Sequence, residues 1–150
     1  MIERLETVIP EVVARIAEIE REAFAGGGFD EWTLVPFIRH GRVYTIRQDQ
    51  TIVGVVEYML DWESKNHAYL LGVSIDRQHQ GLGLGTRLLE VSLAELAGEG
   101  IREVELTVDP ANAAAVEVYD RKLGFEVVDY RENEYGPGVH RQVMRVALRG

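Results

Sequence analysis

One stretch decides the fold: Val73-Ser74-Ile75-Asp76-Arg77-Gln78-His79-Gln80-Gly81-Leu82-Gly83-Leu84-Gly85-Thr86-Arg87-Leu88-Leu89. A run of β-branched residues ends, a polar turn follows, and three alternating glycines lead into a leucine-rich helical pattern. The first turn of a helix has unpaired N–H groups and a partial positive charge, and glycine lets an anion approach the backbone. The stretch therefore predicts a strand, a loop that holds a pyrophosphate, and a helix.

The composition is that of a single globular domain covering residues 1–150. Of the 150 residues, 46% are hydrophobic and 27% are charged, and there is no cysteine, which excludes disulfides, thiolate metal sites and a cysteine acyl-enzyme. The net charge of −9 argues against binding to nucleic acid. It suits a cationic partner such as an amine, although a solvated acidic surface is the commoner cause of such a charge.

The sequence also bears on location and on metals. A basic segment followed by an apolar one is not found at the start, and no apolar run approaches the ~20 residues that span a bilayer, so we expect a cytoplasmic protein without membrane contact. The four histidines, at positions 40, 67, 79 and 140, form no ligand pair of the HExxH type. We therefore expect no metal.

The order of predicted elements is typical of an α/β fold. Apolar periodicity predicts helices over about 11–24, 30–40, 85–98 and 112–123, and strands over 2–9, 43–47, 52–60, 68–75, 101–108, 125–130 and 139–148. Strands alternate with helices in the middle and hairpins lie at both ends. This pattern predicts a mixed, mostly antiparallel sheet of six to seven strands with helices on both faces. The glycines at 26–28 and the helix after them either form a wall on the substrate side or simply connect elements.

Two common phosphate-binding motifs do not fit the glycine loop. A dinucleotide fingerprint needs G-x-G-x-x-G near the start of the fold, whereas these glycines are at 81, 83 and 85 in mid-chain. A nucleoside triphosphate loop ends in G-K-[ST], and no lysine separates Gly85 from Thr86. Both classes of nucleotide site are therefore disfavoured.

The pattern that remains, Gln80-x-x-Gly83-x-Gly85, resembles the acyl-CoA loop of the GNAT superfamily of N-acetyltransferases. Downstream, the run from Asn112 to Phe125 looks like the second signature of this family, N-x-x-A-x-x-x-Y-x-x-x-G-F. The two motifs occur in the family's order, each on the predicted type of element. The resemblance implies a single GNAT-like acetyltransferase domain with a splayed pair of central strands.

The resemblance also implies roles for individual residues. The backbone of Gln80, Gly81, Leu82, Gly83, Leu84, Gly85 and Thr86 would hold the pyrophosphate of acetyl-CoA, and Val73, Ser74 and Ile75 would pair with its pantetheine arm. Asn112 would bind the end of the arm, and Tyr119 would be the general acid beside the sulfur. Seven residues separate Asn112 from Tyr119, so both point to one side of a helix. A helix cap for Asn112 and a core aromatic for Tyr119 remain the structural alternatives.

The general base is the least determined part of the predicted catalytic site. Some members of the family carry a glutamate at the position of His67, and others carry a glutamate or a histidine at the position of Thr107. Neither usual glutamate is therefore present in this sequence. His67 has a suitable ordinary pKa of about 6.5 and is the first candidate, ahead of Glu57. Tyr135 and Trp32 are candidates for contact with the acceptor, with a hairpin turn and a packing role as the alternatives.

We therefore expect an N-acetyltransferase in which a primary amine attacks acetyl-CoA directly within a ternary complex. The acceptor is either a protein N-terminus or lysine, or a small amine, and the resemblance also allows a homodimer. The alternative is an acyl-CoA-binding module without catalytic activity, used in sensing or assembly. A nucleotide-dependent enzyme is a third hypothesis.

Overall fold

The computed structural model describes residues 1–24 and 28–149, so most of the predicted glycine loop at 26–28 lies outside the described residues. The described strands are β1 (Ile2–Arg4), β2 (Arg42–Gln48), β3 (Thr51–Leu60), β4 (His67–Ile75), β5 (Glu103–Val108), β6 (Glu126–Arg131) and β7 (Arg141–Ala147). The helices are α1 (Pro10–Ala23), α2 (Glu31–His40), α3 (Leu84–Gly98) and α4 (Ala113–Glu117). A 3₁₀ turn, Arg77–His79, precedes α3, and a π-helical turn, Val118–Lys122, continues α4.

The strands form one mixed sheet with the order β1-β2-β3-β4-β5-β7-β6. β4 and β5 run parallel, whereas β1 and β2, β2 and β3, β5 and β7, and β6 and β7 are antiparallel. The final strand of the chain is inserted between β5 and β6. The predicted α/β fold with a mixed, mostly antiparallel sheet is confirmed.

The parallel register between β4 and β5 is short. It joins His67 to Glu103, Ala68 to Val104 and Tyr69 to Glu105. β4 continues to Ile75 and β5 to Val108, although the register ends at the third pair. Such an early end is what the predicted splay of the central strands requires.

By its contacts the chain divides into two compact units. The first comprises Met1–Met59 and Leu70–Leu93, and the second comprises Leu60–Tyr69 and Ala94–Gly150. The prediction that residues 1–150 act as a single domain stays a prediction.

In the first unit, helices cover both faces of the strands. Val55 of β3 belongs to an apolar cluster with residues of α1 and α2, such as Ile16 and Leu34. Tyr58, three residues further on and therefore on the opposite face, has its hydroxyl 2.7 Å from Oγ of Ser92 on α3. Alternate side chains of β3 therefore pack against helices on opposite faces of the strand, which gives a layered unit.

In the second unit, β5 separates an apolar face from a charged one. Val104, Leu106 and Val108 are buried. On the other face, Nε of Arg145 donates to Glu105 at 2.9 Å, and Arg131 lies 3.6 Å from the same carboxylate. This alternation confirms that Glu105 faces away from the core.

Two predicted strands differ from the observed ones. The first strand was expected to reach residue 9, but it ends at Arg4, after which only the N–H of Leu5 still donates to Val43, at 2.9 Å. The nearly continuous apolar run at 68–75 predicts a central, buried strand, but Leu71, Gly72 and Val73 are partly accessible. The apolar pattern therefore predicted the position of β4 correctly and overestimated its burial. None of the described helices is long and apolar enough to cross a membrane.

Asp76 connects the end of β4 to α1. Its Oδ2 accepts from Arg15 at 2.7 Å, and its Oδ1 accepts from the backbone N–H of His79 at 3.0 Å and lies 2.6 Å from the Nδ1 of that residue. Burial alone would raise the pKa of Asp76, but the contacts with His79 and Arg15 outweigh burial and hold its pKa below the ordinary value. The carboxylate thus fixes the turn that leads into the glycine loop.

We predict that Asp76→Asn lowers the free energy of unfolding by about 2 kcal/mol at neutral pH, since it removes charge-assisted hydrogen bonds from a buried site. Because the pKa of Asp76 is lowered by folding, the contribution is present above its unfolded pKa and is lost as the pH falls through its folded value. Urea unfolding of both proteins from pH 7 to pH 3 measures this.

Asp49→Asn is the matched control, because Asp49 is exposed at the β2–β3 turn with φ +50°, a conformation that asparagine readily adopts. It should change the stability by less than about 0.5 kcal/mol. A pH-independent difference between wild type and Asp76→Asn would contradict the role given to the Asp76 carboxylate.

Candidate functional site

The glycine loop begins with two side-chain contacts that set its course. Asp76 caps the 3₁₀ turn, and Nε2 of Gln80 reaches back to donate to the carbonyl oxygen of Ile75 at 3.2 Å. The backbone N–H of Asp76 donates to Val53 on β3 at 2.8 Å. The start of the loop is therefore held by hydrogen bonds to β3, to β4 and within the turn.

The backbone N–H groups of the loop make few hydrogen bonds to the described residues. No described residue accepts a hydrogen bond of ordinary geometry from the N–H groups of residues 80–86, whereas the N–H of Arg87 already donates to Gly83, at 3.1 Å, as helix α3 begins. Gly81 and Gly83 have φ values of +80° and +78°, which L side chains rarely adopt. A Cβ at either glycine would meet open space. The loop thus presents a set of donors, at the positive end of a helix, to whatever occupies that space.

The last three residues of β4 differ in their surroundings. Val73 and Ile75 are partly accessible, while Ser74 is 3% exposed and its Oγ has no hydrogen-bond partner. Gly85 at the start of α3 approaches Ile75 closely, since a Cβ there would lie 3.6 Å from Cγ1 of the isoleucine. The strand and the helix N-terminus therefore form one compact support for the loop.

A buried pair of carboxyl groups lies beside β4 in the same unit. Glu57 on β3 and Glu20 on α1 are 1% and 2% exposed. Burial, followed by the hydrogen bond and the charge of Glu20, raises the pKa of Glu57 well above its ordinary value. A Cβ at Gly72 on β4 would lie 3.7 Å from Oε1 of Glu57. Glu57, the second candidate base, is thus adjacent to bare backbone of β4.

The second signature lies in the other unit and starts with a helix cap. Oδ1 of Asn112 accepts from the N–H of Ala115 at 3.2 Å, so the capping alternative describes the structure. Asn112 is exposed, and no hydrogen bond of its side-chain amide donor to a described residue is recorded. The cap therefore leaves the donor half of this amide available.

Tyr119 lies in the π-helical turn that follows α4. Its ring packs against Phe125, with centroids 5.8 Å apart, and burial raises the pKa of its hydroxyl above the ordinary value. Four residues separate Tyr119 from Gly124, one more than in the signature quoted above, and a π turn is how a helix accommodates one extra residue. Tyr119 is thus both a packing aromatic and a protonated hydroxyl.

Thr107, at a position where some family members carry a carboxylate or a histidine, is part of a neutral network. Its Oγ1 lies 2.9 Å from the hydroxyl of Tyr69 on β4. Burial raises the pKa of Tyr69 to about 12; the contact with Thr107 opposes the shift, and Tyr135 and Glu105 add to it. These hydroxyls are therefore protonated at neutral pH and cannot replace a carboxylate base.

The remaining candidates lie at accessible positions. Nδ1 of His67 is 3.8 Å from Glu103 on the charged face of the second unit, and its side chain is 40% exposed. The ring of Tyr135 is covered by Arg141, whose Cζ lies 5.0 Å from the ring centroid. Trp32 at the start of α2 is 89% exposed. The structure thus places Glu57 with the loop in the first unit, and Asn112, Tyr119, His67 and Tyr135 in the second.

The sequence analysis assigned no role to the side chains of Glu20 and Tyr69 or to the gap beside Gly72. Glu20 follows Val13 by seven positions and Ile16 by four, so it lies on the apolar stripe of α1, which is a recognisable signal. Gly72 interrupts an apolar strand, a sign of close backbone approach. Tyr69 carries no such signal. The described residues include no group of three or more potential metal ligands.

Comparison with known proteins gives a consistent result. The profile of the acetyltransferase (GNAT) family matches residues 13–125. A mycothiol acetyltransferase of Kytococcus sedentarius is 42% identical over 94 residues, which are 61% of this chain and 30% of that protein. The chain matches between 18% and 53% of the length of such curated relatives.

Solved structures share the fold along the whole chain. The ribosomal-protein-S18-alanine N-acetyltransferase of Escherichia coli superposes with a TM-score of 0.82 at 22% identity, covering 100% of this chain and 96% of that one. A GNAT family acetyltransferase of Elizabethkingia anophelis with acetyl-CoA bound gives a TM-score of 0.73 at 15% identity, covering 99% and 97%.

We predict that the Tyr69–Thr107 hydrogen bond is energetically coupled. A double-mutant cycle of Tyr69→Phe and Thr107→Val should give a coupling free energy of about 0.5–1.5 kcal/mol in urea unfolding, because each single variant leaves the other hydroxyl without its partner. Tyr130→Phe, which removes a hydroxyl without a recorded bond to Thr107, should add to Thr107→Val without coupling. Additivity of the first pair would show that the bond contributes nothing in solution.

Proposed function

This chain belongs to the acetyltransferase (GNAT) family, and from that premise we propose that it moves an acetyl group from acetyl-CoA to a primary amine. The observation that carries the proposal is the set of unpaired N–H groups at residues 80–86, between β4 and α3. An acyltransferase of this kind binds its coenzyme through a diphosphate, and a diphosphate is the anion that such a loop accommodates best.

The loop fits the coenzyme on its own geometry. Side chains at Gly81 and Gly83 would occupy the space from which an anion reaches the backbone, and that space is empty of protein atoms within 4 Å. The relative from Elizabethkingia anophelis was solved with acetyl-CoA bound. We propose that the backbone of residues 80–86 donates to the diphosphate, and that Val73, Ser74 and Ile75 pair with the pantetheine arm.

Asn112 and Tyr119 complete the proposed coenzyme contacts. The free amide donor of Asn112 would bind a carbonyl of the arm while its oxygen continues to cap α4. Tyr119, protonated at neutral pH because burial raises its pKa, would donate a proton to the departing sulfur.

Transfer is proposed to occur by direct attack in a ternary complex. The chain has no cysteine that could carry the acetyl group, and a backbone N–H near Leu71 or Gly72 would stabilise the oxyanion. The attacking amine must lose a proton, for which His67 and Glu57 are the candidates.

The identity of the acceptor amine is part of this proposal. The similar proteins described above are named a mycothiol acetyltransferase and a ribosomal-protein-S18-alanine N-acetyltransferase, and we propose a primary amine on either a small molecule or a protein. A cytoplasmic location and a homodimer belong to the same proposal. The neutral Thr107 favours, as a second candidate, an acyl-CoA-binding module without turnover; tight CoA binding with no acetylation of any amine would support it.

We predict that Gly83→Glu weakens CoA binding by about 10²-fold or more in calorimetric titration. The side chain and its charge would occupy the anion space and cost at least two charge-assisted hydrogen bonds. Gly138→Glu is a matched control, because Gly138 has φ +77° and open space around its Cβ position but lies in the β6–β7 loop. Both variants carry the same backbone strain, so unchanged CoA affinity in Gly83→Glu would exclude the loop from the site.

We predict that Tyr119→Phe lowers kcat by about 10²–10³-fold with little change in the dissociation constant of CoA, as expected for loss of a general acid. Tyr130→Phe is the control, since Tyr130 is a half-exposed tyrosine of β6. Steady-state kinetics with a panel of amines and calorimetry with CoA measure the two quantities. An unchanged kcat would leave Tyr119 with its packing role alone.

A further inference from the structure

We propose that Glu57, paired with Glu20, is the group that takes the proton from the acceptor amine, and that the amine approaches β4 at Gly72. This inference rests on the proposed acetyl transfer and specifies which side of the first unit receives the amine. It also changes the order of the two candidate bases, placing Glu57 ahead of His67.

The first argument is that the two carboxyl groups are incompletely bonded in a buried place. Oε2 of Glu57 and Oε1 of Glu20 are inaccessible to solvent and have no hydrogen-bond partner among the described residues. The other oxygen of Glu20 accepts a long hydrogen bond, 3.5 Å, from the N–H of Phe29. Unpaired buried carboxyl oxygens are costly, and such groups are retained in proteins mainly where they have a function.

The second argument is the geometry at Gly72. Glycine leaves the backbone of β4 uncovered there, and an atom in the place of its missing Cβ would lie 3.7 Å from Oε1 of Glu57 and 3.9 Å from Cζ of Phe24. Gly72 and its two neighbours on β4 are partly accessible, unlike Leu70 and Ser74. The carboxyl group is therefore within reach, directly or through one water molecule, of a group that occupies this gap.

The third argument is electrostatic. Burial, followed by the hydrogen bond and the charge of Glu20, favours the protonated form of Glu57, so Glu57 keeps its proton to a higher pH than an exposed glutamate does. Among the described groups, only Glu20 shifts the pKa of Glu57 by its charge; Gly72 on β4 and Val43, the register partner of Glu57 on β2, are not ionisable. The singly ionised pair carries one negative charge with no fixed counter-ion, and a primary ammonium is the complementary ligand.

The proton balance of the step is simple. The ammonium gives one proton to Glu57 when its carboxylate is ionised and becomes a neutral amine. The nitrogen lone pair then forms the N–C bond to the acetyl carbon, the C–S bond breaks, and the sulfur takes the proton that Tyr119 donates. The nitrogen then carries two protons, of which one is lost to solvent and one stays on the amide. Tyr119 regains a proton from solvent, and Glu57 releases its proton to solvent.

The test compares wild type with Glu57→Gln, Glu20→Gln and Glu90→Gln. Glu90 is an exposed glutamate of α3, so its variant controls for loss of one carboxylate. We expect Glu57→Gln to lower kcat/KM about 10²-fold and to abolish the acidic limb of its pH profile, with CoA affinity retained. Glu20→Gln should move that limb to lower pH, because the neighbour that raises the pKa of Glu57 is gone.

Thermal unfolding without coenzyme gives a readout that does not depend on activity. Because the pKa of Glu57 is raised by folding, its stabilising contribution is present below the unfolded pKa and is lost as the pH rises through the folded value. The difference in Tm between Glu57→Gln and wild type should therefore grow in favour of the variant from pH 4.5 to pH 8. Glu90→Gln should show no such trend.

Gly72→Ala tests the route of the amine. The added methyl group would make only ordinary contacts, so the variant should fold with a Tm near that of wild type. We expect its KM for the amine to rise at least tenfold, because the methyl group fills the gap beside Glu57, with CoA affinity unchanged.

Several outcomes would overturn the inference while leaving the proposed acetyl transfer intact. These are an unchanged kcat/KM in Glu57→Gln, a Tm difference that does not depend on pH, or an acidic limb removed by His67→Ala and retained in Glu57→Gln. Wild type that binds CoA and acetylates no amine would instead overturn the proposed function, and the role of Glu57 with it.

Discussion

The structure depends on the hydrogen bonds that hold the turn after β4. The Asp76 carboxylate binds Arg15 of α1 and both the backbone N–H and the ring Nδ1 of His79, while the N–H of Asp76 donates to the carbonyl oxygen of Val53. These contacts satisfy the polar groups at the start of the loop, so the loop residues that follow are not required as their hydrogen-bond partners. Between this anchor and the first turn of α3, no described residue accepts a hydrogen bond of ordinary geometry from the N–H groups of residues 80–86.

Unpaired donors of this kind are preorganised for an anion, and preorganisation explains why the glycines are needed. Gly81 and Gly83 adopt a left-handed backbone that most residues avoid, yet no protein atom lies close to their Cβ positions. Packing therefore does not require glycine there. The left-handed backbone conformation does require glycine, and the approach of the proposed ligand would make the same demand on the same two residues.

The sequence predicted this part of the molecule well because its physics is local. A strand end, a cap and a helix start are recorded in consecutive residues from Ser74 to Leu89. The π turn around Tyr119 was also present in the sequence, as one residue more than the family signature allows, but its consequence depends on how the helix packs onto Phe125. The Glu20–Glu57 pair was beyond local patterns, since it joins an α-helix to a strand 37 positions away.

The neutral Thr107 and the buried carboxyl pair both bear on which group could take the proton of the attacking amine. An amine that attacks a thioester must lose a proton, and a protonated Tyr69–Thr107 network cannot take it because the pKa of Tyr69 is about 12. In the proposed mechanism the proton goes to a carboxyl group elsewhere, and burial beside a second carboxyl group raises the pKa of such a group. Glu57 meets that condition and faces the uncovered backbone of Gly72. A base on β3 in place of one on β5 would have the amine approach β4 from the side of α1, so the residues that select the acceptor should be sought on α1 and α2.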